Sequence, residues 1–295
     1  MKRKLILGYV FIILSAVIFG CNPLFVHLLK NEGLNSVSLV LLRNLLSLPV
    51  LAVLAYRQHG SLQIPVKALP SMGMIAVMGC CITPLLLMTS YAYIASGTAT
   101  VFHFIYPAAV VLAGVCIYRE RISRGNLISV ILCVVGICLF YDPAQPLNWK
   151  GSFFALLSGI TYAIYILQLS HFRFSEVSGF LFSLYVNSFS CIVMFLVSVA
   201  TGLLTLPGSM AGWAGCFAFS IFISVCAVVM FQQGTFYIGG QKASILSTLE
   251  PITSILVGAL VFHEVIGIRT AFGSVLVILA SILIALTDMK KSDNP

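Results

Sequence analysis

The chain has 295 residues, of which 60% are hydrophobic and 8% charged, with a formal net charge of +8 and a mean hydropathy of +1.08. A soluble domain carries about 25% charged residues because its surface faces water, so lipid is the solvent for most of this chain. No hydrophilic stretch is long enough for a soluble domain. Lys and Arg fall in short clusters between apolar runs and form no basic face, which argues against nucleic acid as a partner.

Apolar runs between polar or Gly/Pro breaks predict ten segments, at about 5–29, 34–56, 69–93, 97–118, 124–141, 150–170, 178–202, 210–235, 241–262 and 266–287. At about 1.5 Å per residue, even the shortest reaches across much of a hydrocarbon core of about 30 Å. Met1-Lys2-Arg3-Lys4 before an apolar run resembles a signal peptide, but bulky Phe19 occupies the small-residue position before Cys21 and the run continues to Leu29. It is therefore read as a retained first helix.

With the N-terminus in the cytoplasm, Lys2, Arg3, Lys4, Arg57, Lys67, Arg119, Arg121, Arg124, Arg173, Lys242, Lys290 and Lys291 fall inside, and Lys30, Lys150 and Arg269 fall outside. That asymmetry places both termini on the cytoplasmic side of the cell membrane. All nine cysteines lie in apolar runs, no pair has CxxC spacing, and each is read as a small hydrophobe.

The chain matches itself. An offset of 144 places Tyr93-Ile94-Ala95 on Tyr237-Ile238-Gly239, Pro107 on Pro251, Gly114 on Gly258 and Glu120 on Glu264; an offset of 143 places Gly8 on Gly151, Ser15 on Ser158 and Asn44 on Asn187. Two five-helix copies are expected, residues 1–145 and 146–295. Because five is odd, the second copy enters the membrane in the opposite sense. Such inverted repeats frame a midplane site in many transporter folds.

Ala16-Val17-Ile18-Phe19-Gly20-Cys21-Asn22-Pro23-Leu24-Phe25 resembles the first-helix motif of EamA-type members of the drug/metabolite transporter superfamily, and Arg43 is similar to that family's second-helix arginine. The stretches from Ala99 to Glu120 and from Ala243 to Glu264 are similar to its paired fourth and ninth helices. The resemblance covers essentially the whole chain. It implies an all-α membrane protein of ten helices around a central cavity, working as a secondary transporter and often as an exporter. Substrates in such a family include amino acids, nucleotide sugars, phosphorylated sugars, amines and drugs. His103 and Tyr106 depart from the family, which commonly has apolar or small residues there.

Glu250 falls near the middle of the ninth segment, where a charged side chain costs about 3 kcal/mol. It suits a proton-coupling group or a counter-ion for a cationic substrate; the plain alternative is a neutral carboxyl hydrogen-bonded between helices. His103 and Tyr106 share a helix face, aligned with Ser247 and Glu250. His103 is a candidate substrate or proton ligand, or else a buried structural histidine. Pro107 and Pro251 free backbone carbonyls, as structural or gating elements. Ser15, Phe19 and Asn22 align with Ser158, Tyr162 and Tyr165, and Thr161 and Gln168 extend the second stripe. These rings and amides suit a flat or amphipathic metabolite, or else inter-helix packing. Gln232 is a weaker cavity candidate. Arg43 binds an anion, pairs with Glu250 or satisfies helix carbonyls, and the last, structural role is favoured.

HExxH, GxSxG and nucleotide-binding loops are absent, so neither a membrane enzyme nor ATP drive is expected, and no cofactor or metal is called for. A channel would favour a ring of repeated polar groups, which the sequence lacks. The reading is a carrier of a small organic metabolite, an amino acid or related compound, in the direction of efflux. An importer or exchanger of an amine or nucleoside is the alternative. Lipids, the substrate and protons are the expected partners, with a homodimer left open. Cysteine-accessibility labelling in intact cells should place the segments after Glu120 and after Glu264 on opposite faces of the membrane; labelling from one face alone would dissolve the inverted repeat.

Overall fold

The computed structural model describes residues 2–94, 96–119, 122–139, 148–172, 177–262 and 267–293, and the described residues are helical with short connections. Glu120, Glu264, Arg121 and Arg173, together with the 145/146 boundary, lie outside them. Seven stretches are long and apolar enough to cross a membrane: 3–31, 36–59, 66–90, 98–116, 149–170, 179–201 and 210–238. Two shorter apolar helices, Arg124–Cys138 and Ala271–Leu283, sit where the fifth and tenth spans were expected. The chain is thus a multi-pass membrane protein. Large side chains such as Leu196, Ile192 and Leu112 point outward, as a lipid-facing surface requires.

Several expected spans are interrupted. The first is α1 (Lys2–Phe19) and α2 (Asn22–Asn31), followed by α3 (Ser36–His59). The third is α4 (Leu69–Ile75), a π-helical turn at Ala76–Ile82 and α5 (Thr83–Ser90). The fourth is α6 (Ser96–His103) and α7 (Tyr106–Cys116); then follow α8 (Arg124–Cys138), α9 (Trp149–Ser170) and α10 (Gly179–Thr201). The eighth is α11 (Met210–Phe219), a second π-helical turn at Ser220–Ala227 and α12 (Val228–Ile238). The ninth is α13 (Gly240–Leu246) and α14 (Leu249–Phe262), and α15 (Ile268–Asp293) is last. Pro107 and Pro251, expected as structural or gating elements, do not lie inside continuous helices. Instead the helix stops at Phe104-Ile105 and Ser247-Thr248 and restarts just ahead of each proline. A proline ring clashes with the carbonyl four residues back but is welcome in a helix's first turn.

α3 and α10 pack along each other in opposite directions. Near the start of α3, Asn35 and Ser38 bond Leu203 and Thr205 just after α10, and near the start of α10 the Tyr185 hydroxyl donates to the Leu62 carbonyl just after α3. Between these ends, Asn44 Nδ2 donates to Ser190 Oγ at 2.7 Å. Likewise α8 packs on α15, α1 on α12, and α5 on α9.

Features recur at the spacing found in the sequence. The two π-helical turns begin at Ala76 and Ser220, 144 apart; α3 and α10 begin 143 apart, and α8 and α15 144 apart. A Cβ on Gly8 would lie 2.6–2.9 Å from Ile238 and Tyr237, and a Cβ on Gly151 would lie 2.8–2.9 Å from Tyr93 and Ile94, the partners 144 residues earlier. Backbone approach at these small residues sets how tightly the helices pack. Gly8→Val and Gly151→Val should each cost about 1–3 kcal/mol by overpacking, read as a lower unfolding temperature in detergent. Gly73→Ala, where nothing lies within 4 Å, should change little.

Candidate substrate-binding site

Within the described helices, four dipeptides place a polar residue directly before a proline: Asn22-Pro23, Thr83-Pro84, Tyr106-Pro107 and Glu250-Pro251. Each proline lies at the start of a helix, and three of the four polar residues face one cavity. A proline lacks the N–H that would bond the carbonyl four residues back, and hydrocarbon offers no water in its place. The fold meets that need with side chains. The Cys80 carbonyl, freed by Pro84, accepts from Asn44 Nδ2 at 3.3 Å and Ser190 Oγ at 3.1 Å. The His103 carbonyl, freed by Pro107, lies so near Gly159 that a Cβ there would sit 2.4 Å away.

The cavity is walled by Phe19, Asn22, Arg43, Gly79, Cys80, Thr83, Pro84, Leu87, Met88, His103, Tyr162, Tyr165, Val228, Phe231 and Glu250, drawn from both halves of the chain. Its volume, open to the centres of water-sized molecules, is about 70 Å³, several times the ~10–15 Å³ that one water needs. That size suits a ligand of a few heavy atoms. Among the described residues, no group of three or more His, Cys, Asp or Glu is placed to hold a metal.

Six of the predicted residues meet here: Asn22, Arg43, His103, Tyr162, Tyr165 and Glu250. His103 Nδ1 bonds Ser158 Oγ at 2.8 Å, and Ser158 Oγ itself donates to the Ala155 carbonyl at 2.6 Å. With the single hydroxyl proton so used, Nδ1–H is the donor and Nε2 of the neutral ring is an acceptor. Tyr162 is the hub of an aromatic box, with ring centroids 5.3 Å from His103, 4.8 Å from Tyr106, 5.5 Å from Tyr165 and 5.7 Å from Phe231. Gly79 lets the Tyr165 ring lie on the α4–α5 backbone, since a Cβ would fall 2.2 Å from that ring. Glu250 is within electrostatic reach of Tyr91, Tyr106 and Tyr162.

Three predicted residues stand behind the wall. The Tyr106 hydroxyl bonds Ser247 Oγ at 2.7 Å, and Tyr106 has no exposed surface. Gln232 accepts from Ser183 Oγ and lies beside Tyr165. Gln168, on α9, lies outside the cavity. Pro107 and Pro251 shape the breaks without facing the cavity. Sequence reading missed Thr83, Phe231 and the wall from Gly79 to Met88. Thr83-Pro84 carried the same polar–proline signal as the other breaks, whereas Phe231 looked like any apolar core residue.

Arg43 is 5% exposed, its Nε has no hydrogen-bond partner, and no ion pair joins it to Glu250 although both line the cavity. Asn22 Oδ1 is also buried and unpartnered. The pairing of Arg43 with Glu250 that the sequence allowed is therefore not made in this structure. Unpaired buried charge is costly, and a ligand carrying the opposite charge would remove that cost. Arg43→Gln should therefore leave the unliganded protein melting at an equal or higher temperature, while weakening an anionic ligand by about 2–5 kcal/mol. A sharp loss of unliganded stability would return Arg43 to a structural role.

The EamA-like transporter family model matches residues 6–141 and 149–286. The chain is 27% identical over 287 residues to an uncharacterized transporter of Archaeoglobus fulgidus, covering 94% of this chain and 96% of the relative. It is 24% identical to the uncharacterized transporter YcbK of Bacillus subtilis, covering 92% and 90%. A crystal structure at 14% identity superposes with a TM-score of 0.75 over 98% of this chain and 99% of the other, a likeness of fold.

Proposed function

Because the chain belongs to the EamA-like transporter family, we propose that it is a secondary carrier that moves a small amino acid or related compound across the cell membrane, outward, by alternating access. The carrying observation is the cavity, in which an unpaired Arg43 and Glu250 share one small space with an aromatic box. A zwitterion fits such a space: a carboxylate against Arg43, and an ammonium against Glu250 and the faces of Tyr162, Tyr165 and Phe231.

Alternation draws support from the recurrence at 143–144 residues. Ten spans in two five-helix copies, 1–145 and 146–295, would make α3 equivalent to α10, and these two helices run antiparallel, as inversion requires. Broken helices at the site agree with this reading, since irregular backbone at membrane depth is tolerated where it lines a cavity. Both termini are assigned to the cytoplasm on the Lys/Arg bias.

Glu250 is the coupling candidate. Around it stand His103 on α6, Tyr106 on α7, Tyr162 on α9, Tyr91 after α5, and Arg43 on α3 across the cavity. Purified protein in liposomes should show saturable counterflow of an amino acid or a related zwitterion. Glu250→Gln should abolish flux driven by a pH gradient and keep exchange, because a neutral amide cannot carry the proton. Folded protein inert across a broad metabolite panel would sink the carrier, and an unchanged pH response in the variant would remove Glu250 from coupling.

A further inference from the structure

A two-fold relation between copies has a strict consequence for contacts. If residue i of the first copy touches the counterpart of j, then j touches the counterpart of i in a fully symmetric molecule. Tyr106 corresponds to Glu250 and His103 to Ser247 at the 144-residue offset. The Tyr106–Ser247 hydrogen bond, at 2.7 Å, therefore has a mirror partner, Glu250–His103. That mirror bond is not made, although both residues line the same cavity.

A second pair behaves alike. Asn44 corresponds to Asn187 and Ser47 to Ser190 at the 143-residue offset. Both asparagines bond the carbonyl four residues back, Val40 and Ser183, and both Oδ1 atoms lack a partner, but only Asn44 Nδ2 also bonds the serine across the crossing, Ser190 Oγ, at 2.7 Å. Ser47 bonds the Asn44 carbonyl instead. In each pair one of the two symmetry-related bonds is made and the other is not, the departure expected of one of two conformations related by exchange of the copies.

We infer that His103 and Glu250 close on each other in the opposite-facing conformation, as the Tyr106–Ser247 bond opens. This rests on the two-copy carrier reading. The closed pair needs one proton. Nδ1–H is committed to Ser158, so the neutral ring offers only the Nε2 lone pair, and an ionised Glu250 offers only lone pairs in return. One proton, held as carboxyl O–H or as imidazolium Nε2–H, makes the bond. Tyr91, Tyr106, Tyr162, Tyr165, Cys80 and Arg43 are the other titratable or charged groups around the pair and its cavity. The reasoning links proton occupancy to the direction in which the cavity faces.

Glu250→His tests the pairing, because two imidazoles that meet bind Ni²⁺. Micromolar Ni²⁺ should raise the melting temperature of Glu250→His and slow its counterflow by about tenfold or more, with reversal by a chelator. Wild type, Glu250→Gln and the double variant His103→Ala/Glu250→His should not respond, which separates this site from the native cysteines. Where Glu250→His does not transport, the melting shift decides alone. Folded Glu250→His that responds to Ni²⁺ no more than the double variant overturns the pairing. Wild-type protein that exchanges no metabolite overturns the carrier reading itself, whatever nickel does.

Discussion

Lipid offers a broken helix no hydrogen bonds. Each proline that opens a helix within the bundle removes one backbone bond, and in hydrocarbon the carbonyl left behind must find protein or a cavity. This constraint organises the centre of the molecule. Asn44 and Ser190 reach across the α3–α10 crossing to the Cys80 carbonyl, and the chain can break there because they do. Three of the four polar residues that precede these prolines, Asn22, Thr83 and Glu250, face one cavity. The site is a by-product of solving the backbone problem in one place rather than four.

The same economy explains why the cavity is electrically unfinished. Arg43 and Glu250 are of opposite sign and share a wall, yet they do not bond. A closed ion pair would stabilise the empty protein and leave a ligand nothing to gain. Keeping the two apart leaves each charge free to be met by a ligand of opposite charge. In a carrier that difference matters more than affinity, because a ligand shifts a conformational equilibrium only by what it gains in one state over the other.

Much of this was legible in the sequence. The apolar runs and the recurrence of Pro107 and Pro251, Gly8 and Gly151, and Asn44 and Asn187 carried the helical architecture, because burial in lipid leaves few polar residues and makes each one conspicuous. Glu250, Arg43 and His103 stood out for that reason and do meet. Tyr106, and less strongly Gln232, also stood out and do not face the cavity, since a polar group between helices serves packing as readily as binding. Phe231 and Leu87 were invisible: an apolar residue that lines a cavity reads the same as one that faces lipid. The prolines disclosed where the helices are disturbed but not that they stop and restart there, because proline marks the position of a disruption and not its extent.

The departures from internal symmetry carry the remaining information. Had the second copy kept Tyr at 250 and His at 247, the two halves would offer the same contacts in both conformations and nothing would distinguish them. The chain instead joins hydroxyl to hydroxyl, Tyr106 to Ser247, and at the symmetry-related positions carries a carboxyl and an imidazole, Glu250 and His103. The first pair is indifferent to pH in the physiological range; the second contains the two side-chain types whose ordinary titration lies nearest to it from below. An inverted duplication supplies two facing states of similar energy, and a substitution on one side of the axis is then enough to make the choice between them depend on a proton. On that view the residues that break the repeat, rather than those that preserve it, decide what drives the carrier.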